Sequence, residues 1–408
     1  AAAIYGTKAG AGVILVTTKR GKEGRVKVTY SGSVHTNVVG NKFPVADGQT
    51  WAEMLCHATE NDAYALLDKD GNPQYSWWMW PEDIWKKMAA GERYEGVVAG
   101  VWRVLDPSSD QFDAVYGNTW GQSHNINISG GTDKLKVMTS LGYAKDRSLV
   151  DIVFDGQQKY NFRTNADYKV NDWVKTEFNV SYDKRITDVP TQGVGNGIQD
   201  FYIFPLYNSY GQFYDTFGNN NLLAKLVEGG RTKSTEEILR LGGKVTFDLA
   251  KLTKGLTVSG SANVRLRKHW EVARQNKVTM YDWSGETTTA SGNPDYSLGT
   301  GSIKSQTTDA NCWVKNTYED VLYQTYNAFV NYNREFAGHN IGLMAGITGE
   351  KTHYQKLYGY RQNMSSNDLD DINLGDATTA QATGGSNDVG MISYLGRLNY
   401  DYKGIYLL

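Results

Sequence analysis

From Tyr160 to Val170 the chain reads YNFRTNADYKV. Tyr160, Phe162, Thr164, Ala166 and Tyr168 fall on one side of a period of two, and Asn161, Arg163, Asn165, Asp167 and Lys169 on the other. A helix would mix these two sets; a β-strand separates them, because successive side chains point to opposite faces. Val174, Thr176, Phe178, Val180 and Tyr182 repeat the pattern after VNDW, which has room only for a tight turn. The alternation recurs around Val26–Val34, Ile126–Ile128, Leu135–Tyr143, Leu239–Leu249, Leu256–Leu266, Leu322–Tyr332, Ile341–Ile347 and Ile392–Tyr402. With the strand beginning near Ile405, eleven strands are predicted.

Alternating strands also build soluble sandwiches, closed barrels and solenoids, so the pattern leaves those architectures open. Two details favour a transmembrane barrel. The joints alternate in length: SGGTDK, VNDW, AKLTKG, EFAGHN and DYKG are short, whereas about 40–120, 187–237, 270–318 and 355–388 are long, with LVDIVFDG near Asp151 as one brief exception. Transmembrane barrels pair short periplasmic turns with long external loops in this way. The apolar faces also carry Tyr143, Tyr168, Tyr182 and Tyr402 near their ends, where an aromatic girdle meets lipid headgroups. No uncharged apolar stretch approaches the roughly 18 to 20 residues of a spanning helix, so any crossing of a bilayer must be made by strands.

Composition agrees with a β-rich chain: 27 Tyr, 11 Trp and 44 Gly stand against 7 Pro, and mean hydropathy is -0.51. A formal net charge of -2 gives no basis for nucleic-acid binding. Cys56 and Cys312 are far apart and in no CxxC pattern, so no zinc site or disulfide framework is indicated, although their spacing leaves one disulfide open. The first residue is not Met, no signal-like segment precedes the opening, and the last residues YDYKGIYLL read as an interrupted strand; a fragment cut at both ends is expected.

The motifs that carry chemistry are mostly missing. GTKAGAG, from Gly6 to Gly12, lacks the Lys-Ser/Thr ending of a phosphate-binding loop and runs into a strand, not a helix. The six histidines form no HExxH or similar pair. Asp68 and Asp70 before Gly71, and Asp368, Asp370, Asp371 and Asp376, have a partial calcium-loop look without the full ligand spacing, so turns are expected there. No GxSxG or other nucleophile motif occurs, and neither an enzyme nor a cofactor is expected.

The long joints have content. Trp51, Met54, Leu55 and Ala58 recur at helical spacing after Asp47 or Thr50 as a cap, and WPEDIWKKMAAGE reads as a second helix stopped at Gly91. Tyr75, Trp77, Trp78, Trp80 and Trp85 crowd the first long loop, and Tyr202, Phe204, Tyr207, Tyr210 and Tyr214 a later one. Loop aromatics make large contact areas for sugars, peptides or a protein partner; the competing reading is that they pack the loops onto one another. On the polar strand faces, Arg163, Asp167, Lys175, Glu177 and Arg265 are candidates for contacting a polar solute, although any water-filled barrel interior is polar.

The opening stretch, AAAIYGTKAGAGVILVTTKRGKEG, closely resembles the end of the plug domain of SusC/RagA-like TonB-dependent outer-membrane transporters. Ala3 to Ala9 and Gly12 to Lys19 match that run, with Ala11 where the family commonly has Asn. GQSHNINISGGTDKLKVMTSLGYAKDRSLV, from Gly121 to Val150, resembles the family's second and third barrel strands. The resemblance implies an all-β protein: the C-terminal end of a plug and a hinge over 1–22, then about half of a 22-stranded antiparallel transmembrane β-barrel over 23–408 with long extracellular loops. Gly6, Gly10, Gly12, Lys19, Arg20 and Gly21 would form the plug–barrel hinge, with Lys19 to Gly24 a charged, flexible link at the periplasmic rim. It further implies TonB-driven import of oligosaccharides or peptides across the outer membrane of a Gram-negative bacterium, with a SusD-like surface lipoprotein as partner and the TonB-contacting segment outside this sequence. The alternative is a secreted or surface β-rich protein that binds or hydrolyses glycans. A passive porin is the nearer rival, but it would lack the plug-like opening.

Overall fold

Among the described residues the alternation is converted into hydrogen-bonded ladders. The computed structural model describes residues 19–40, 46–62, 70, 82–98, 101–192, 203–215, 221–283, 303–307, 312–404 and 406–407. In chain order these hold β1 (Gly24–Asn37), α1 (Gly48–Asp62), α2 (Glu82–Ala89), β2 (Tyr94–Val98), β3 (Val101–Leu105) and α3 (Gln111–Val115). Then come β4 (Thr119–Gly131), β5 (Leu135–Arg147), β6 (Gly156–Lys169), β7 (Val174–Pro190), α4 (Leu222–Glu228), β8 (Arg231–Asp248) and β9 (Leu256–Gln275). β10 (Thr279–Trp283), β11 (Ile303–Thr307), β12 (Trp313–Phe336), β13 (His339–Gln362), β14 (Gln381–Tyr402) and β15 (Tyr406–Leu407) complete the series.

One sheet of 11 strands runs β1-β4-β5-β6-β7-β8-β9-β12-β13-β14-β15, with every neighbour antiparallel. These are the eleven strands predicted from the alternation. β2–β3 and β10–β11 are separate hairpins within the long joints. Opposed residues share a face, so the register carries each apolar set across the sheet: Leu141 lies opposite Phe162, Phe162 opposite Tyr182, Tyr182 opposite Leu239 and Leu239 opposite Leu266. That face is solvent-accessible at Ile126, Ile128, Leu141, Phe178, Leu241, Val330 and Leu343. A continuous exposed apolar face of this kind suits lipid and not water. Among the described residues no helix is long and apolar enough to cross a membrane.

Aromatic groups border the apolar face at both ends. On one side Tyr30, His124, Tyr143 and Tyr160 follow one another across β1, β4, β5 and β6, with the Tyr30 hydroxyl 2.7 Å from His124 Nδ1 and the Tyr143 and Tyr160 rings 5.2 Å apart. On the short-turn side Trp173 packs on Phe247, and His339 lies among Phe336, Tyr400 and Tyr402. Amphipathic rings at both borders match the girdles of a transmembrane barrel.

The strands run much farther than the alternation indicates. β12 and β13 are each 24 residues long, whereas about ten residues cross a bilayer when tilted. Before Leu322 both faces of β12 mix polar and apolar residues, with Asn316 and Asp320 on the outward face and Lys315 and Glu319 on the inward one, so period two disappears from the sequence while the backbone ladder with β9 and β13 continues. The extra length lies on the side of the long joints, holding them clear of the apolar band.

Candidate functional site

Three arrangements on the molecule carry charge or contact surface: the packed joints, a ladder of ion pairs on the polar face, and the segment leading into β1.

The first long joint folds as α1, α2 and the β2–β3 hairpin. Asp47 caps α1, its Oδ1 accepting the Thr50 amide at 2.8 Å, as the sequence predicted. α2 ends before Gly91, whose φ of +81 suits a residue without Cβ. Ile84, Trp85 and Met88 turn one face of α2 onto Ala52, Val104 and Leu105, and Ile203, Phe204 and Tyr214 arrive from the 191–230 joint to close the same core. Trp51 meets Trp85 edge to face at 5.4 Å. The Tyr214 hydroxyl accepts the Val104 amide at 3.2 Å, the Asp106 amide reaches the Ile203 carbonyl at 2.7 Å, and Arg93 Nη2 donates to the Tyr207 carbonyl at 3.3 Å. Burial and the nearby Asp83 charge push the Tyr94 phenol up beside this core. β10 joins through the Tyr281 amide, which donates to the Phe213 carbonyl at 2.8 Å. Three joints therefore form one unit.

This unit corrects one expectation. Trp85, a candidate for partner or solute contact, is 1% exposed and belongs to the core, so it contacts neither. Tyr207 and Tyr210 are 43% and 52% exposed and do present rings outward, with Tyr207 stacked on Phe213. Tyr75, Trp77, Trp78, Trp80 and Tyr202 lie outside the described residues.

The 363–380 joint is held differently. Arg274 of β9, only 8% exposed, pairs with Asp370 and donates to the Asn367 carbonyl. Asp371 and Asp376 accept the amides of Asn373 and Thr378, capping two short turns. Of the aspartates that resembled a calcium loop, Asp371 and Asp376 thus serve as caps and Asp370 in an ion pair, and Asp68 lies outside the described residues. The Thr378 hydroxyl and amide hold the Asp376 carboxyl below its ordinary range. A depressed carboxyl stabilises the turn above the unfolded-state pKa, and this contribution is lost as pH falls through the folded value. The Thr378 amide is therefore expected to lose hydrogen-exchange protection on acidification below the usual aspartate range, and Asp376→Asn should flatten that dependence.

Cys312 is buried with Val314 and Met364, its thiol donating to the Met364 carbonyl at 3.3 Å, while Cys56 packs beside the core of the first joint. The two lie in separate clusters and are not joined by a disulfide. The denatured, thiol-blocked protein is expected to migrate identically with and without reductant. In the folded protein Cys56 should react with a water-soluble maleimide well before Cys312.

On the polar face, Arg185 of β7 lies 3.7 Å from Glu236 of β8, which accepts from Arg267 of β9 at 2.6 Å. Arg267 reaches Glu319 of β12 at 3.5 Å, and Glu319 meets Lys356 of β13 at 3.2 Å. Five neighbouring strands are thus joined by alternating charges, none of them among the predicted site residues. Arg163 and Arg265 occupy a different row, in which Arg163, Ser181, Arg240, Arg265 and Tyr323 are successively opposed. Arg265 lies over the Tyr323 ring at 5.8 Å, and Arg240 pairs with Asp183. Among the described residues neither Arg163 nor Arg265 has a carboxylate within 4.0 Å.

The other three polar candidates converge on the hinge residues. Arg20 pairs with Asp167 and, at 2.9 Å, with Glu177, which also accepts from Lys175 Nζ at 3.3 Å. Asn165 donates its amide to the Lys19 carbonyl at 2.9 Å. Gly21 passes so close to β5 that an added Cβ would lie 2.5 Å from the Val137 amide nitrogen. Where a flexible charged link was expected, Lys19–Gly21 is fastened to the wall. Gly6, Gly10 and Gly12 lie outside the described residues.

No family model matches the chain. Over its whole length it is 24% identical to "TonB-dependent receptor P26" of Formosa agariphila, covering 36% of that protein. Over 151 residues, 37% of this chain and 11% of the relative, it is 27% identical to "TonB-dependent receptor SusC" of Bacteroides thetaiotaomicron. The chain is SusC/RagA-like. Among solved structures, the RagAB peptide importer in its open-open state superposes with a TM-score of 0.71 at 14% identity, over 98% of this chain and 43% of that one. The structure of the RagAB peptide transporter gives 0.69 over 99% and 44%. This SusC/RagA-like chain therefore spans about a third of the length of the curated relatives it matches end to end. Its open sheet is a segment of an antiparallel transmembrane β-barrel, with the lipid-type face outward and the ion-pair ladder on the inner wall.

Proposed function

We propose that the chain supplies the first half of the barrel, over 23–408, and the last plug residues, over 1–22, of a transporter in the outer membrane of a Gram-negative bacterium. That transporter imports oligosaccharides or peptides, draws energy from an inner-membrane TonB complex and works with a SusD-like surface lipoprotein. The observation that carries this reading is the asymmetry of the wall. Short turns close one end, while at the other three long joints, two sharing a core and the third bonded to it, stand above a polar, charge-paired inner face. A polar inner wall with folded external loops suits capture and passage of a hydrated solute. The TonB-dependent receptor relatives and the structural likeness to a peptide transporter support import.

Tyr207 and Tyr210, with Trp77, Trp78 and Trp80, are the aromatic groups proposed to meet solute or lipoprotein, and Arg163 and Arg265 the inner-wall cations proposed to meet solute. The full-length gene should be deleted in its host and restored, and growth compared on defined oligosaccharide and peptide mixtures, with and without a working TonB. Loss of uptake on one class of mixture, dependent on both genes, is the expected result. Uptake of every mixture that is indifferent to the deletion would sink the import reading in favour of a surface glycan-binding or glycan-cleaving protein.

A further inference from the structure

We propose that Lys19–Glu23 is a fixed anchor and not a moving hinge: it stays clamped across β5, β6 and β7 while chain N-terminal to it is displaced during import. The inference goes beyond the import reading and rests on it for the word displaced; the clamp itself stands on geometry alone.

Four contacts hold the segment, and they are of different kinds. The Lys19 carbonyl accepts from Asn165, a side chain only 5% exposed. Gly21 brings backbone against backbone at Val137, an approach that no residue with a Cβ could make. Glu23 reaches Lys136 of β5 at 3.9 Å. Between these, Arg20 bridges Asp167 and Glu177. Gly24, at φ +130, then turns the chain into β1.

The Arg20 contact explains an anomaly in the wall. Across β5, β6, β7 and β8 the register opposes Lys136, Asp167, Glu177 and Lys244 in turn. The outer junctions are base against acid, but the central one places Asp167 directly opposite Glu177. Like charges directly opposed across a sheet are destabilising. Both side chains are largely shielded, at 14% and 18% exposure, and it is here that Arg20 inserts its guanidinium. A planar fork can serve two carboxylates at once, which a lysine ammonium does less well. Lys175 serves Glu177 alone, so among the described residues Arg20 is the cation that bridges the two, and withdrawing the linker would leave the carboxylates facing each other without that bridge.

The test uses the full-length protein in outer membranes. Glu23→Cys and Lys136→Cys, which leave the Arg20, Asn165 and Gly21 contacts in place, should bridge through a reducible bis-thiol linker in most molecules at rest, and the bridged protein should import as fast as the unbridged one. Import that stops on bridging and returns on reduction would overturn the anchor, as would failure to bridge at rest. A wild-type protein that imports nothing would instead refute the import reading, and bridging at rest would still judge the clamp. A second measurement needs no transport: trypsin should cleave at Lys22 about tenfold faster in Arg20→Gln, because a tethered segment must open locally before it is cut. Arg20→Gln combined with Glu177→Gln should recover much of the protection, since the like-charge pair is gone. Equal cleavage of wild type and Arg20→Gln, or no recovery in the double variant, would refute the role given to Arg20.

Discussion

Trp85→Ala in the intact protein is expected to open the external loop unit while leaving the barrel strands protected. The indole is 1% exposed and stands where α1, α2, the β2–β3 hairpin and the 203–215 segment meet. Truncating a buried Trp costs about 3–5 kcal/mol, part from lost transfer of the ring out of water and part from the cavity left behind. Here the neighbours that could collapse into the space come from different elements: Ala52 from α1, Met88 from α2 itself and Phe204 from the 191–230 joint. Moving them would strain the Arg93 and Tyr214 hydrogen bonds that register the joints. The loop unit is small, so a loss of this size should exceed its local stability without reaching the long ladders of β8, β9, β12 and β13. Hydrogen exchange read peptide by peptide tests this: protection should vanish over α1, α2 and 203–215 and persist in the strands. Loops that stay fully protected while solute or lipoprotein binding is lost would return Trp85 to the role first expected for it, a contact residue.

How far the sequence could be read follows from where lipid acts on it. All eleven sheet strands were legible because an outward residue must be apolar at every second position inside the bilayer. Their ends were not, because beyond the girdle the outward face of β12 mixes polar and apolar residues like the inner one, and only the backbone ladder marks the strand. β2 and β3, as YEGVV and VWRVL, pack in a loop core and show short apolar runs with no clear alternation. α3 and α4 have 5 and 7 residues, too few to establish a helical period, whereas α1 carried both spacing and its Asp47 cap. Trp85 was judged by residue type, as one of several loop aromatics. Its position in the Ile84, Trp85, Met88 stripe of α2 was the signal that it faces inward. Asp167 and Glu177 were visible as polar-face residues, but their partner Arg20 is 147 positions from Asp167, and nothing short of the strand register brings the two together. The Glu236–Arg267–Glu319 ladder was hidden for the same reason: each residue looks ordinary on its own strand.

Replacing Asn221 should loosen a different joint, with a chemical signature that separates two roles of one side chain. Asn221 is 1% exposed, its Oδ1 capping α4 at the Ala224 amide, 3.0 Å away, while its Nδ2 donates to the carbonyls of Leu206 at 2.7 Å and Tyr214 at 3.0 Å. Asn221→Ala removes the cap and both donors, and the sum of a lost cap and a buried carbonyl stripped of a donor is about 2–4 kcal/mol. At an exposed helix start Asp would substitute well, since it caps as effectively as Asn and its charge suits the helix dipole. Here Asp keeps the cap but turns a donor into an acceptor, setting a buried carboxylate against two carbonyl oxygens. Asn221→Asp is therefore expected to be at least as damaging as Asn221→Ala, measured as exchange of the Ala224 amide and as proteolysis of 203–215. An aspartate variant with wild-type protection would mean that Asn221 acts on α4 alone, and that the docking of 203–215 onto α4 rests on the apolar cluster of Ala224 with Phe213.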